Sequence, residues 1–161
     1  MSFRPSRTGG GDTGRPPIRA LAAGEEAEWR RLRHALWPET TDADHATDLQ
    51  EYRDAASSHV ILVAPRPDGS LAGFAEVRLR SIVDGCSTSP VAFLEGWFVD
   101  PDMRRHGVGR ALVQAAEDWA RSRGCQEFGS DTEADNALSR AAHRSLGFTE
   151  APPTVNFRKR L

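Results

Sequence analysis

Two periods of apolar spacing succeed each other along this chain, and their order predicts its elements. A short strand begins at Ile18 and runs to Leu21. Gly24 then caps a helix whose apolar side is Trp29, Leu32 and Leu36, and which Pro38 ends. Leu49, Tyr52 and Ala56 mark a second helix near residues 44–56. The strands His59–Ala64 and Leu71–Arg80 flank Pro67-Asp68-Gly69-Ser70, turn chemistry that implies a hairpin. Val91–Val99 is apolar on both faces, as a central strand is. Val108, Leu112, Ala115 and Trp119 recur at helical spacing, with Arg110, Gln114, Asp118 and Arg121 on other faces and Gly124 as the stop. Gln126–Asp131 reads as the next strand, Asn136–Leu146 as a helix stopped by Gly147, and Val155–Arg158 as a closing strand. The expected result is an α/β sandwich, a mixed sheet covered by helices.

Residues 1–17 show no periodicity. They are rich in Gly, Pro, Arg and Ser and read as a disordered leader, and Gly9–Gly11 lack the flanking strand and helix of a phosphate loop. The 161 residues, 39% of them hydrophobic, with four Trp and seven Phe, suffice for one domain with a real core. A net charge of −2 gives no general attraction to nucleic acid or anionic membrane. No apolar run reaches the length of a membrane span or the core of a signal peptide, so a cytoplasmic protein is expected. Cys86 and Cys125 have neither disulfide-framework nor metal-site spacing, and no metal is expected.

The stretch Phe93–Gly109, FLEGWFVDPDMRRHGVG, carries the most chemistry. It runs from an apolar strand through a Pro-marked turn into an Arg-x-x-Gly-x-Gly segment that opens a helix. The first amides of that helix have no intrahelical partner, and its dipole attracts anions. Gly107 and Gly109 open the backbone to a phosphate, while Arg104, Arg105 and Arg110 add charge. A diphosphate fits there. No Gly-x-x-x-x-Gly-Lys loop exists, and Gly107-x-Gly109 does not complete a dinucleotide fingerprint.

At Arg104-Arg105-His106-Gly107-Val108-Gly109 the chain resembles the GNAT acetyltransferases, whose signature is Arg/Gln-x-x-Gly-x-Gly/Ala after the fourth strand. Asn136, Ser139 and Leu146-Gly147-Phe148 match a second block of that family, and the likeness spans residues 18–161 as a single domain. Asp84–Val99, Ser130–Phe148 and Leu36-Trp37-Pro38 with His45 downstream look like the aminoglycoside 6'-N-acetyltransferases in particular. The resemblance implies a mostly antiparallel mixed sheet with helices on both faces and a splayed central strand pair. It implies acetyl-CoA as co-substrate, an aminoglycoside as acceptor and, by family analogy, a homodimer. It also implies that backbone at Phe98 and Val99 pairs with pantetheine, that Arg104–Arg110 hold the diphosphate, and that Asn136, Ser139 and His143 lie at the cofactor's thiol end.

Only a neutral amine attacks a thioester, so a proton acceptor is needed. Glu95 is the first candidate: it interrupts an apolar strand, where desolvation raises a carboxyl pKa, with a structural carboxylate as the alternative. The resemblance places the proposed base of polyamine acetyltransferases at the same position. Asp131 is the second candidate, as amine ligand, base or cap. Glu76 either lines the acceptor cleft or points to solvent. His143 replaces a tyrosine that many GNAT enzymes use as acid, and it acts so, binds cofactor or packs. Trp37 stacks on a sugar ring or fills the core. Glu39, Asp42, Asp44, Asp48, Glu51 and Asp54 form either a solvated face or a rim that attracts a polycation. Competing readings are a GNAT enzyme for polyamines or protein amines, and a non-catalytic acyl-CoA or aminoglycoside binder.

Overall fold

A computed structural model describes residues 16–153, 155 and 157–160. Among these, five strands form one sheet in the order β1 to β5: β1 Arg19–Ala20, β2 His59–Pro65, β3 Leu71–Arg80, β4 Val91–Val99 and β5 Phe128–Ser130. Neighbouring strands are antiparallel except β4 and β5, which run parallel. Four α-helices accompany them: α1 Glu26–Leu36, α2 Asp42–Asp54, α3 Val108–Ser122 and α4 Ala137–Ser145. The mixed sheet, mostly antiparallel and helix-covered, is the expected architecture.

Strand alternation sends side chains to two cores. Ile61, Val63 and Phe74 meet Trp29, Leu32, Leu49 and Tyr52 of α1 and α2. Leu62, Ala75, Val77, Ala92 and Leu94 meet Leu112, Val113 and Ala116 of α3 on the other face. Leu112 is fully buried, which contributes roughly 1.5–3 kcal/mol relative to an exposed leucine.

Several boundaries differ from expectation for local reasons. The N-cap of α1 is Glu25, while Gly24 forms the preceding turn with φ +91°. α2 starts two residues early because Thr41 and Asp44 close a reciprocal capping box. A 3-10 turn at Pro101–Met103 links β4 to α3. Where a closing strand is expected at Val155–Arg158, the described residues Val155, Phe157 and Arg158 carry no strand, and Val155 and Phe157 are exposed. Asn156 and residues 1–15 of the expected leader lie outside the described residues.

β4 carries the irregularity that shapes the site. Val77 pairs with Leu94 and Glu76 with Gly96, so Glu95 is an extra residue, a β-bulge. The bulge exchanges the two faces of the strand: Phe93 and Phe98 lie on the α1 side, Leu94 and Trp97 on the α3 side.

Candidate functional site

The β4–β5 ladder ends at Leu94 and Ser130, although β4 continues to Val99 against β3 alone. The two strands are splayed, and among the described residues one edge of β4 from Glu95 to Val99 has no strand beside it. Asp100 N–H donates to Ala72 C=O at 2.9 Å, which sets the phase of the β3–β4 ladder. By alternation Phe98 and Gly96 also aim their backbone groups at β3, and Trp97 and Val99 aim theirs at the open edge. The Val99 carbonyl agrees, for it accepts Arg104 Nε at 3.0 Å. The amides that can meet an extended ligand are therefore those of Trp97 and Val99. Phe98 backbone, expected with Val99 to pair with pantetheine, belongs to the other edge.

The α3 N-terminus follows. It has no side-chain cap, and Ala111 N–H to Gly107 C=O, at 2.9 Å, leaves the amides of Val108, Gly109 and Arg110 without an intrahelical acceptor. Arg105 at φ +63° and Gly107 at φ +80° both take left-handed conformations and curl the backbone into the helix start. Arg104, Arg105, His106 and Arg110 are exposed around it, with His106 Nδ1 against Arg104 C=O at 2.8 Å. Trp97 Nε1 is buried without a partner among the described residues. An open strand edge, uncapped amides, three arginines and an orphaned donor suit a pantetheine arm ending in a diphosphate.

The glycines divide their work differently from expectation. A Cβ at Gly107 would meet nothing within 4 Å, so this residue is required for its backbone conformation and leaves the cradle open. A Cβ at Gly109 would lie 2.8 Å from Trp97 Cζ2, so the lack of a side chain at Gly109 makes room for the indole. Gly109→Ala is expected to cost roughly 1–3 kcal/mol by overpacking, and Gly107→Ala about 1 kcal/mol by left-handed strain. Urea unfolding of both variants checks the ranking.

On the other face, the carboxylates exchange expected roles. Glu95 is not a desolvated, unpartnered acid: both its oxygens are held by Arg80, at 2.8 to 3.1 Å, and that guanidinium lies 3.6 Å from the centre of the Phe93 ring. The fully buried carboxylate is Glu76, 1% exposed, which accepts Trp29 Nε1 at 2.8 Å and faces Arg33 Nε at 3.3 Å. Burial pushes its pKa up to about 7 against the pull of Arg33 and Trp29. Glu76 thus lines neither the cleft nor the solvent. Its side of β3 was legible, since it shares parity with Phe74.

Asp131 is exposed just past the end of β5, one residue beyond the point where the strands diverge, as Glu95 is on β4. A groove of 730 Å³ between β5, α4 and the Gly85 loop is lined by Asp131, His143, Phe128 and Phe148 among others. His143 Nδ1 donates to Ser139 C=O at 2.8 Å, and its Nε2 lies 2.9 Å from the Ser130 hydroxyl. Its ring lies edge-on to Trp97 and Phe148. Both nitrogens are engaged, and the half-buried ring forms part of the groove wall. Asn136 Oδ1 caps α4 at Ser139 N–H, leaving its amide NH₂ for other partners.

Most of the acidic run is already occupied. Asp42 binds His34, Asp44 closes the capping box, Asp48 binds Arg33 and Glu51 binds Arg78. Trp37 packs over Gly96, where a Cβ would lie 2.3 Å from its Cη2. Arg33 was missed from sequence. The signal existed: Trp29, Arg33 and Trp37 recur at i, i+4 and i+8, and an arginine between two indoles on an apolar helix face is a stacked one.

Residues 29–148 match the acetyltransferase (GNAT) family. The chain is 45% identical over 148 residues to an aminoglycoside N(6')-acetyltransferase type 1 of Klebsiella aerogenes, an alignment covering 91% of this chain and 97% of that one. It is 42% identical to the protein of the same name in Stenotrophomonas maltophilia, over 89% of this chain and 92% of that one. Among solved structures it is similar to AAC(6')-Iy in complex with the bisubstrate analog CoA-S-monomethyl-acetylneamine, with a TM-score of 0.83, 38% identity, and coverage of 90% of this chain and 98% of that one. With the splayed strand, the uncapped helix and both motifs in register, the chain belongs to the GNAT acetyltransferase family.

Proposed function

We propose that this protein transfers acetyl from acetyl-CoA to the 6'-amine of an aminoglycoside, directly and without a covalent enzyme intermediate. The observation that carries the reading is the juxtaposition of a cofactor cradle along β4 with the carboxylates Glu95 and Asp131 where β4 and β5 part. Near-full-length identity to aminoglycoside N(6')-acetyltransferases supports the acceptor.

Bound acetyl-CoA supplies the acyl group as a thioester. The uncapped amides of Val108, Gly109 and Arg110, with Arg104 and Arg105, hold the anionic end. Trp97 and Val99 amides orient the extended arm, and an N–H on that edge stabilises negative charge developing on the carbonyl oxygen. On the acceptor side, Glu95 exchanges Arg80 for the substrate ammonium and takes its proton, which gives the neutral amine that attacks the thioester; as the C–S bond breaks, the nitrogen's second proton passes to the departing thiolate. Asp131 holds a second cationic group of the acceptor. His143 shapes the wall at the thiol end together with Asn136.

A second copy of the chain is the proposed partner, supported by the exposed Val155 and Phe157 and by the groove beside β5. A cytoplasmic location is proposed as well; no helix among the described residues is long and apolar enough to cross a membrane.

The acceptor assignment is tested by comparing an aminoglycoside bearing a 6'-amine with one bearing a 6'-hydroxyl, alongside a polyamine and a lysine-rich peptide, by thiol release. Turnover is expected for the 6'-amine alone. Equal turnover of the 6'-hydroxyl compound, or preference for the polyamine or peptide, would contradict it.

A further inference from the structure

We infer that Arg33 is a positioning residue of the acceptor side, which holds the Trp37 indole against Gly96 and thereby fixes the floor on which the acceptor sugar rests next to Glu95. This rests on the acceptor reading above.

Arg33 is 6% exposed, on an otherwise apolar face of α1. Its guanidinium lies 4.8 Å from the ring centre of Trp29 on one side and 4.8 Å from that of Trp37 on the other. Asp48 of α2 fixes it in that slot by accepting Nη2 at 2.7 Å, and Glu76 of β3 faces Nε at 3.3 Å without hydrogen-bond geometry. Trp29 completes the frame by donating to Glu76.

Trp37 is held far less firmly by anything else. It follows the last residue of α1 and precedes Pro38, it is half-buried, and its own aromatic contact is an edge at 6.2 Å to Phe74. Its backbone N–H donates to Arg33 C=O at 2.7 Å. Arg33 therefore grips both the backbone and the ring of the residue that covers Gly96. Gly96 pairs with Glu76 across the ladder and directly follows the bulged Glu95. The buried ions and the acceptor floor thus share one register position.

Stability alone does not account for this arrangement. Burying a guanidinium and a carboxylate costs desolvation that well-packed apolar residues avoid. What an apolar side chain cannot do is stack between two indoles while an ion pair to Asp48 anchors its plane. A guanidinium does this through its flat, charged face, whereas an ammonium is a point charge.

The test is Arg33→Lys, which keeps the charge and loses the planar stack. The KM for a 6'-amine aminoglycoside is expected to rise about tenfold while that for acetyl-CoA moves less than about twofold. Trp37 emission, obtained by subtracting the Trp37→Phe spectrum in each background without substrates, is expected to shift to longer wavelength. Asp48→Asn frees one end of the guanidinium at a site with 31% of the side chain exposed, and is expected to raise the acceptor KM in the same direction by less. An unchanged acceptor KM in Arg33→Lys, or a parallel rise in both KM values, overturns the inference. If Arg33→Lys does not fold, an unchanged acceptor KM in Asp48→Asn overturns it. Wild-type protein that acetylates no aminoglycoside sinks the acceptor reading instead, and the Trp37 spectra of the free protein still decide whether Arg33 holds the indole.

Discussion

Glu95→Gln is expected to lower kcat/KM for the 6'-amine acceptor by about 10²–10³-fold, the range for loss of a positioned proton acceptor, while acetyl-CoA affinity stays the same. Glutamine keeps the shape and one hydrogen-bond acceptor, so the bulge in β4 is retained. It cannot take a proton, and it cannot replace Arg80 with an ammonium as an ion pair. The loss should therefore fall on both kcat and the acceptor KM. Steady-state kinetics across pH, with calorimetry of acetyl-CoA, check this. An unaltered profile would remove Glu95 from the chemistry and leave Asp131 as the acidic group at the strand divergence. Arg80, bidentate to Glu95 and stacked on Phe93, makes a second arm. If the ammonium must displace it, weakening its grip favours the acceptor.

Replacing Arg33 by Met is expected to destabilise the fold by about 1.4 kcal/mol more near pH 8 than near pH 5.5, because it takes away the charge that lets the buried Glu76 ionise above its pKa of about 7. The pH dependence has a definite sign. Burial raises the Glu76 pKa from an ordinary 4.5 to about 7. The stability linked to its neutral form is complete below the unfolded value and lost as pH rises through the folded one. Without Arg33 the carboxyl prefers its proton still more, so the penalty should grow from about pH 5.5, where Glu76 is neutral, to about pH 8. Glu76→Gln in the same chain should recover most of the loss and flatten the pH dependence. Urea midpoints at the two pH values check the prediction. A penalty independent of pH would mean that lost stacking on Trp29 and Trp37, not the stranded charge, dominates.

Much of this architecture was written in local pattern, and the exceptions have physical causes. β3 and β4 start and stop where alternation and turn residues place them, because their side chains fill cores on both faces. The uncapped start of α3 was legible from Arg104 to Gly109, since amide geometry at a helix start follows from the backbone. Its finer division was not: that Gly109 seats Trp97 depends on a contact between elements. The carboxylates were harder. An extra residue at Glu95 reverses the strand's parity, and no sequence period announces a bulge. Glu95 accordingly looked like the buried acid, while Glu76, one strand away, is the buried one. The acidic run on α2 looked like free charge because its partners Arg33 and Arg78 come from other elements.

The most direct measurement is amide hydrogen exchange with and without saturating CoA. Protection is expected at Trp97 and Val99 on the open edge of β4 and at Val108, Gly109 and Arg110 in the first turn of α3, with Phe98, already in the β3 ladder, little changed. Protection absent from both segments, or confined to another face of the molecule, would contradict the cradle on which the proposed chemistry depends.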